Sequence, residues 1–320
     1  MYKRILLAVD DDAASDAVAL EAERMARTGG ARIKVLHVAQ EPIDTMSYAA
    51  SSRSIGARVA AGERLLARIG ERLRSDGIDH ERQLSEIIGI AVAQEIVRQA
   101  DDWRADLIVM GTHGRRGLSR LLVGSTAAGV VRTSAMPVLL VRNDHAAANR
   151  ADDAGYGRLL VPVDNSKPSL AGLEQALIYA RETGAAIKAV HVLNLLAPDA
   201  SAVPSVGYEP FLLNARKKGH EVLAAARDVA DERAVAIETE MLEVVGGNTT
   251  QPILETALLW EADLIVMGTH GRRGIPRLAM GSDAEDVLRA SPVPVLLTRQ
   301  DEEFISLVAD SSKLQPLELQ

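Results

Sequence analysis

The chain contains no cysteine among its 320 residues, and aromatic residues make up only 3% of it. The absence of cysteine excludes disulfides, thiolate catalysis and cysteine-ligated zinc or iron–sulfur centres. No apolar run approaches the roughly 18 residues of a membrane span. The apolar run near the start, Ile5–Val9, is too short for a secretory signal. We therefore expect a cytoplasmic protein that does not bind a membrane.

Basic residues are outnumbered by acidic ones, 36 to 44, which gives a formal net charge of −8. This balance disfavours a general nucleic-acid or anionic-membrane binder, so neither is an expected partner. Hydrophobic residues make up 47% of the chain and charged residues 25%, as in ordinary globular proteins. A chain of this length most often forms two domains.

An internal repeat supports the division into two domains. The stretch ADLIVMGTHGRRG occurs at Ala105–Gly117 and again at Ala262–Gly274. The segment ILLAVD resembles LLVPVD at an offset of 154 residues, and PVLLVR resembles PVLLTR at an offset of 157. The unit is far longer than a solenoid repeat. We predict a first domain at residues 1–142, a linker at 143–156, a second domain at 157–299 and a tail at 300–320.

Each copy alternates between strand and helix patterns. In the first copy we predict strands near Lys3–Val9, Ile33–Val38, His80–Glu86, Asp106–Met110 and Pro137–Val141, and helices near Ser15–Thr28, Ile55–Ser75, Ala91–Trp103 and Ser125–Ser134. This order predicts an α/β protein with two tandem Rossmann-like domains, each a five-stranded parallel sheet flanked by helices. Ligands bind such sheets at the carboxyl ends of strands where the strand order reverses. We therefore expect the ligand site at the carboxyl ends of the first and fourth strands.

A spaced set of glycines follows the fourth strand. Two residues separate Gly111 from Gly114 and nine separate Gly114 from Gly124, with Ser125 next. Glycine tolerates positive φ and close backbone approach, and serine is a favoured N-cap. A helix N-terminus behind such a loop attracts phosphate. The spacing therefore predicts a phosphate site, although neither GxxxxGK[ST] nor GxGxxG after the first strand is present.

The pattern G-x2-G-x9-G-[ST], an Asp ending the first strand and a closing PVLLVR strand together resemble the universal stress protein family. The resemblance covers roughly residues 1–142 and 156–299. It implies adenine nucleotide alpha hydrolase-like domains that bind ATP, with Mg²⁺ on the phosphates. It also implies a stress-response regulator or sensor with little or no catalytic turnover.

The same resemblance implies nucleotide contacts in both copies. In the first copy they are Ala8, Val9, Asp10, Val38, Met110, Gly111, Gly114, Gly124, Ser125 and Thr126. In the second copy they are Pro162, Val163, Asp164, Val192, Met267, Gly268, Gly271, Gly281 and Ser282. The closing strands of this family commonly pair, so Val138–Val141 and Val295–Leu297 are expected to meet about a pseudo-twofold axis. A homodimer and an unidentified protein partner are further expectations.

Several charged residues of the loops allow two interpretations. Asp10 and Asp164 suit ribose hydroxyls, or they cap their own loops by accepting backbone N–H bonds. Asp11 and Asp12 are either solvated structural residues or part of a metal cluster, although only the first Asp recurs in the second copy.

The glycine loop itself carries a histidine and two arginines in each copy. His113 lacks a visible partner base, which favours an orienting hydrogen bond or a phosphate contact over catalysis. Arg115 and Arg116 either neutralise phosphate or meet a protein partner.

The two copies differ immediately after the motif. Thr126 follows Ser125, whereas Asp283 follows Ser282. A carboxylate there stabilises the helix dipole but repels phosphate, so we expect weaker nucleotide binding in the second domain. Two rival functions stay open. One is a slow ATPase or phosphotransferase in which His113 or Asp12 positions water, and the other is an interaction protein that has lost nucleotide binding.

Overall fold

The fold is taken from a computed structural model that describes residues 1–12, 14–41, 48–112, 123–142, 155–195, 208–246, 248–269 and 280–299. In order, these residues form β1 (Arg4–Val9), α1 (Ser15–Gly29), β2 (Arg32–Glu41), α2 (Tyr48–Ser75), β3 (His80–Ile88), α3 (Val92–Trp103), β4 (Leu107–Gly111), α4 (Ser125–Thr133), β5 (Val138–Val141), β6 (Arg158–Pro162), α5 (Lys167–Thr183), β7 (Ala186–Asn194), α6 (Tyr208–Glu232), β8 (Glu238–Val244), α7 (Thr250–Leu259), β9 (Leu264–Gly268), α8 (Ser282–Ala290) and β10 (Val295–Thr298). The alternation predicted from the sequence is confirmed. The first domain contains β1–β5 and the second contains β6–β10.

The strands form one ten-stranded sheet in the order β3-β2-β1-β4-β5-β10-β9-β6-β7-β8. Within each domain every strand pair is parallel, as predicted. The two halves do not remain separate sheets, because β5 pairs with β10 in antiparallel fashion. Apart from Thr298, the four central strands β4, β5, β10 and β9 contain no polar side chain, as expected of strands covered on both faces. The outer strands β3 and β8 are rich in charged residues, which protects exposed sheet edges from further pairing.

The antiparallel pairing places a pseudo-twofold axis between the domains. Leu139 faces Leu296, and these two residues are equivalent in the repeat at the offset of 157. On either side, Val138 faces Leu297 and Leu140 faces Val295, which exchanges equivalent positions. The expected pairing of the closing strands is therefore present inside the chain.

Tyrosines that precede the first strand of each domain cross to the other domain. The Tyr156 hydroxyl donates to Glu21 Oε2 at 2.5 Å, and the equivalent Tyr2 hydroxyl donates to Gln175 Oε1 at 2.9 Å. Tyr156 and Tyr2 are both buried, and burial raises the pKa of each phenol, so both stay protonated donors. The two contacts are related by the pseudo-twofold axis, but their acceptors differ in charge, because the counterpart of Glu21 is a neutral glutamine.

Arginines at the end of each domain contribute a second symmetric contact. The guanidinium of Arg142 donates to the carbonyl oxygen of Arg289 at the end of α8. The equivalent Arg299 donates to the carbonyl oxygen of Arg132 at the end of α4. The last carbonyl groups of a helix lack intrahelical partners and carry partial negative charge. Each domain therefore caps the final helix of the other.

Helices cover both faces of the sheet, and each face carries one continuous core. One core lies among α1, α2, α5 and α6, and the other among α3, α4, α7 and α8. Both cores contain residues of both domains, so apolar packing also crosses the β5–β10 junction. No helix of the described residues is long and apolar enough to cross a membrane.

The predicted elements differ from the observed ones mainly around the loop before α2. The helix begins at Tyr48, not near Ile55, and β2 continues to Glu41, past the predicted end at Val38. The longer β2 is matched residue by residue with β3, up to Glu41 opposite Ile88. This partner strand stabilises a segment whose own sequence lacks a buried strand pattern.

The unequal tyrosine contacts predict unequal effects of removing each hydroxyl. Tyr156→Phe removes the hydroxyl donor from the buried Glu21 carboxylate, leaves its ion pair with Arg24 at 3.6 Å, and is expected to lower the free energy of unfolding by about 1.5–3 kcal/mol. Tyr2→Phe removes a bond to a neutral amide and is expected to cost about 0.5–1.5 kcal/mol. Urea denaturation of the two variants beside the wild type measures both. Equal losses would show that the charge of Glu21 is unimportant for the interface.

Candidate functional site

The sheet topology brings together the strand ends that the sequence predicts. The strand order reverses between β1 and β4 in the first domain and between β6 and β9 in the second. Ala8 lies opposite Met110, so the predicted contacts Ala8, Val9, Met110 and Gly111 share one carboxyl edge. This edge is the crevice where open α/β sheets bind ligands.

The second crevice opens earlier along its strands. The β6–β9 register ends at Leu160 opposite Ile265, two residues before Pro162. Val163 donates its N–H to Val190 on β7. Successive residues of a strand direct their backbone groups to opposite sides, so the backbone nitrogen of Pro162 points toward β9. Because proline has no N–H, Pro162 cannot donate to β9, and pairing stops. The predicted contacts Pro162 and Val163 therefore border a wider gap than Ala8 and Val9 do.

The acidic residues after β1 and β6 organise their own loops. Asp10 Oδ1 accepts the N–H of Asp11 at 2.8 Å, and Asp164 Oδ1 accepts the N–H of Ser166 at 2.9 Å. Both aspartates are half-buried at the crevice edge. The loop-capping interpretation of these two residues thus has a geometric basis, and it coexists with their position beside the crevice.

Asp12 has a structural role at the start of α1. Its Oδ1 accepts the N–H groups of Ala14 at 2.9 Å and Ser15 at 3.1 Å. Partial burial raises the pKa of the Asp12 carboxyl, and these backbone bonds oppose that rise. Among the described residues, no group of three His, Asp or Glu side chains is arranged to hold a metal ion.

The two ends of each glycine loop are joined by a backbone hydrogen bond. Gly124 donates its N–H to the carbonyl oxygen of Thr112 at 2.8 Å, and Gly281 donates to Thr269 at 2.9 Å. Both threonines are buried, and their own N–H groups bond to the closing strands, at Val141 and Thr298. The loop thus starts and ends at fixed points beside the crevice. The residues between, including His113, Gly114, Arg115 and Gly271, lie outside the described residues.

The helix that follows each loop begins at the serine itself, one residue earlier than it would if the serine were the N-cap. Gly124 is the N-cap of α4, and Ser125 is the first helical residue rather than the expected N-cap. Gly281 and Ser282 stand in the same way at α8. The φ angles of Gly124 and Gly281 are −60° and −63°, so the tolerance of glycine for positive φ is not used at these positions. A glycine N-cap offers no side-chain acceptor, so no cap side chain covers the first amides of the helix.

Close packing accounts for Gly268. A Cβ on Gly268 would lie 2.6 Å from the carbonyl carbon of Pro168 and 2.7 Å from its oxygen, at the start of α5. Only a residue without a side chain lets the end of β9 approach α5 this closely. Glycine is therefore needed at this position because a side chain would overlap its neighbour, and not because of the conformational freedom of the glycine backbone.

The residues at the end of the second strand have different surroundings in the two domains. Val38 lies opposite Ser85 in the β2–β3 register, whereas Val192 lies opposite Leu242. Ser85 donates to Glu95 Oε1 at 2.6 Å, and Arg98 bonds the same carboxylate at 2.7 Å. These bonds, above all those of Arg98, lower the pKa of Glu95 to about 2, so Glu95 is a carboxylate at neutral pH. The residue expected to lie beside the adenine, Val38, is thus flanked by a charged network, whereas its counterpart Val192 is paired with an apolar residue.

The helix starts also differ between the domains. The first turn of α4 contains no acidic residue, whereas that of α8 contains Asp283 and Glu285. Thr126 is half-buried, and Asp283 is exposed. Asp283 Oδ1 accepts the Thr249 hydroxyl at 3.0 Å, which ties the start of α8 to that of α7. The Asp283 carboxylate therefore lies in the first turn of α8, directly after the glycine motif of the second domain.

These features define a tandem Rossmann-like α/β protein with one candidate anion-binding loop in each domain. A model of the Universal stress protein family matches residues 1–142 and 155–299, and the chain belongs to this family. The full length is similar to a universal stress protein of Mycobacterium tuberculosis, with 25% identity over 92% of this chain and 97% of the relative. One from Methanocaldococcus jannaschii is 34% identical over 45% of this chain and 83% of its own length. The crystal structure of a universal stress protein from Archaeoglobus fulgidus has the same fold, with a TM-score of 0.68, 22% identity and coverage of 94% and 97% of the two chains.

Steric exclusion at the end of β9 leads to a matched prediction. Gly268→Ala is expected to destabilise the chain by about 1–3 kcal/mol, because the added methyl group overlaps the backbone of Pro168. Gly157→Ala serves as the control, since its Cβ would meet only Asp263 Oδ2, at an ordinary 3.6 Å. Chemical denaturation should separate the two variants. A Gly268→Ala variant as stable as the control would contradict the packing explanation.

Proposed function

We propose that this chain binds ATP at the β1–β4 crevice and acts as a nucleotide-dependent regulator of a stress response, with little or no turnover. The observation that supports this most directly is the Thr112–Gly124 hydrogen bond. It joins the two ends of the glycine loop beside the start of α4, where backbone N–H groups face outward. A phosphate group matches such a helix start behind a glycine-rich loop, and the resemblance to ATP-binding universal stress proteins suggests ATP as the molecule that carries it.

Each part of the nucleotide has candidate partners along the same edge. The adenine base would lie near Val38, with the ribose at Asp10 and the strand end at Ala8 and Val9. The ribose and phosphates would contact the proposed residues of the glycine loop, which are Met110, Gly111, His113, Gly114, Arg115, Gly124, Ser125 and Thr126. The corresponding second-domain set is Pro162, Val163, Asp164, Val192, Met267, Gly268, Gly271, Gly281 and Ser282.

Mg²⁺ is proposed to arrive with the phosphates of ATP and to neutralise part of their charge there. The chain's own contribution is to bind and orient the nucleotide. Asp12, one of the two water-positioning candidates, bonds the first amides of α1. That role favours a binding protein over a phosphotransferase in which Asp12 directs water, and a steady-state rate below about 1 s⁻¹, the low end for enzymes, is expected.

ATP binding can be tested on protein purified without added ligand. Native mass spectrometry is expected to detect adenine nucleotide, and calorimetry is expected to give saturable ATP binding. Gly114→Asp puts a carboxylate where phosphate is proposed to lie, so it should abolish binding by the first domain while leaving the thermal midpoint nearly unchanged. Absence of retained nucleotide together with no thermal shift on adding ATP would refute the proposal and leave the interaction-protein alternative.

The two helix starts predict unequal affinities that can be exchanged. Thr126→Asp is expected to weaken ATP binding by the first domain about tenfold or more, because it brings a negative charge to the start of α4. Asp283→Thr is expected to strengthen binding by the second domain, with Glu232→Gln, an exposed carboxylate at the end of α6, as a charge-matched control. Calorimetry of the full-length variants measures both changes. If neither exchange alters affinity, the charge at this position does not discriminate between the domains.

A further inference from the structure

A buried histidine contacts the last residue of the switch-point strand in both domains. His37 Nδ1 lies 2.9 Å from the carbonyl oxygen of Val9, and His191 Nδ1 lies 2.7 Å from that of Val163. The carbonyl oxygen can only accept, so Nδ1 carries the proton in each contact. Both rings are almost fully buried, at 3% and 4% exposure. A bond that recurs at equivalent positions of a diverged repeat is a built feature of the fold.

A glycine of the covering helix holds each ring in place. In the first domain a Cβ on Gly62 of α2 would overlap the His37 ring and lie 2.8 Å from Leu84. In the second domain a Cβ on Gly219 of α6 would lie 3.3 Å from His191 and 2.7 Å from the sulfur of Met241. The helices approach the imidazoles closely because these positions lack side chains. The rings therefore have little freedom to turn away from the strand-end carbonyls.

The fixed carbonyl determines where the next amide points. Arg32 donates its N–H to Lys3, so the carbonyls of the odd residues of β1 face β2, and the Val9–His37 contact continues this direction. Across a trans peptide the carbonyl oxygen and the following N–H point in opposite directions. The N–H of Asp10 is therefore directed to the β4 side, which is the side of the crevice. In the second domain, the N–H of Asp164 is directed away from His191 and bonds Ser169 Oγ at 3.2 Å.

We propose that His37 and His191 are positioning residues of the two nucleotide sites. Each imidazole fixes the peptide after the switch-point strand, so that the aspartate of that peptide, Asp10 or Asp164, presents a constant geometry to the ligand. This inference rests on the proposed ATP binding. It assigns to the histidines a role beyond filling the core, because the Nδ1 donor and not the ring volume is what orients the peptide.

Three substitutions of His37 separate donor from volume. In His37→Asn the amide nitrogen occupies the position of Nδ1, so the bond to Val9 is retained. In His37→Gln the amide nitrogen extends toward the position of Nε2, and in His37→Phe the ring volume stays but no donor is left. His80 supplies a matched control, since its Nδ1 bonds the Ile78 carbonyl at 3.0 Å and a glycine of α2, Gly70, lies over it.

The full-length variants are titrated with ATP while the backbone amide resonances of Asp10 and Asp164 are followed by NMR, which reports each domain separately. His37→Phe and His37→Gln are expected to weaken binding at the Asp10 site about tenfold, the effect of one lost hydrogen bond. His37→Asn is expected to stay within about threefold of the wild type, and His80→Gln should change neither site. In every His37 variant the Asp164 titration should be unaltered.

Two results would overturn the inference. Wild-type affinity in both His37→Phe and His37→Gln, with only a lower thermal midpoint, would make His37 a core residue. If His37→Phe fails to fold, equal affinities for the Asn and Gln variants would lead to the same conclusion. If wild-type protein binds no ATP, the proposed function fails, and the Asp10 amide shift in the free variants then decides the positioning role. An Asp10 resonance that moves in His37→Gln but keeps its wild-type position in His37→Asn supports the positioning role. A resonance that is unaltered in both variants refutes it.

Discussion

The antiparallel pairing of β5 with β10 is the contact around which the molecule is arranged. Three residue pairs, centred on Leu139 opposite Leu296, turn two parallel half-sheets into one sheet. Because the central pair consists of equivalent residues, contacts on one side of the pseudo-twofold axis can recur on the other side. The tyrosines before β1 and β6 and the arginines after β5 and β10 all cross the interface in symmetric pairs. The same junction also covers the closing strands, which would otherwise be exposed apolar edges.

This arrangement leaves the two crevices at opposite ends of the sheet. The antiparallel junction points the carboxyl ends of β1 and β4 away from those of β6 and β9. Each crevice is therefore formed by the strands of one domain. The domains contact each other through the shared cores and through the capped ends of α4 and α8, which lie at the far end of each helix from its glycine loop.

Much of this organisation could be predicted from the sequence because it depends on local pattern and on repetition. Apolar runs identify the central strands, and two identical thirteen-residue stretches locate the fourth strand and its loop in both domains. The start of α2 could not be predicted, since residues 48–54 have no apolar periodicity. The contact of Tyr156 with Glu21 was equally inaccessible, because it joins residues 135 positions apart across an interface.

The site shows the same division between pattern and tertiary contact. The spacing of the glycines locates the loop, but the physical reasons for individual glycines come from their neighbours. Gly268 is required by the approach of Pro168, and Gly124 serves as an N-cap at an ordinary φ. Thr112 accepts the N–H of Gly124 at the end of the loop, and nothing in the sequence GTHG indicates this role. Its only sequence signal is its exact recurrence as Thr269, and recurrence alone does not reveal which atom is used.

The shared stretch GTHGRRG therefore does not imply identical sites. A bound anion responds to the charge of every group within a few ångströms, and the loop supplies only part of that charge. In the first domain the loop enters a helix start without carboxylates, and the predicted base position adjoins the Ser85–Glu95–Arg98 network. In the second domain the corresponding loop enters a helix start with Asp283 and Glu285, and the strand beside Val192 presents Leu242. The two loops share GTHGRRG but differ in their remaining residues and in their surroundings, so a difference in ligand between the domains has to arise from residues outside that shared stretch.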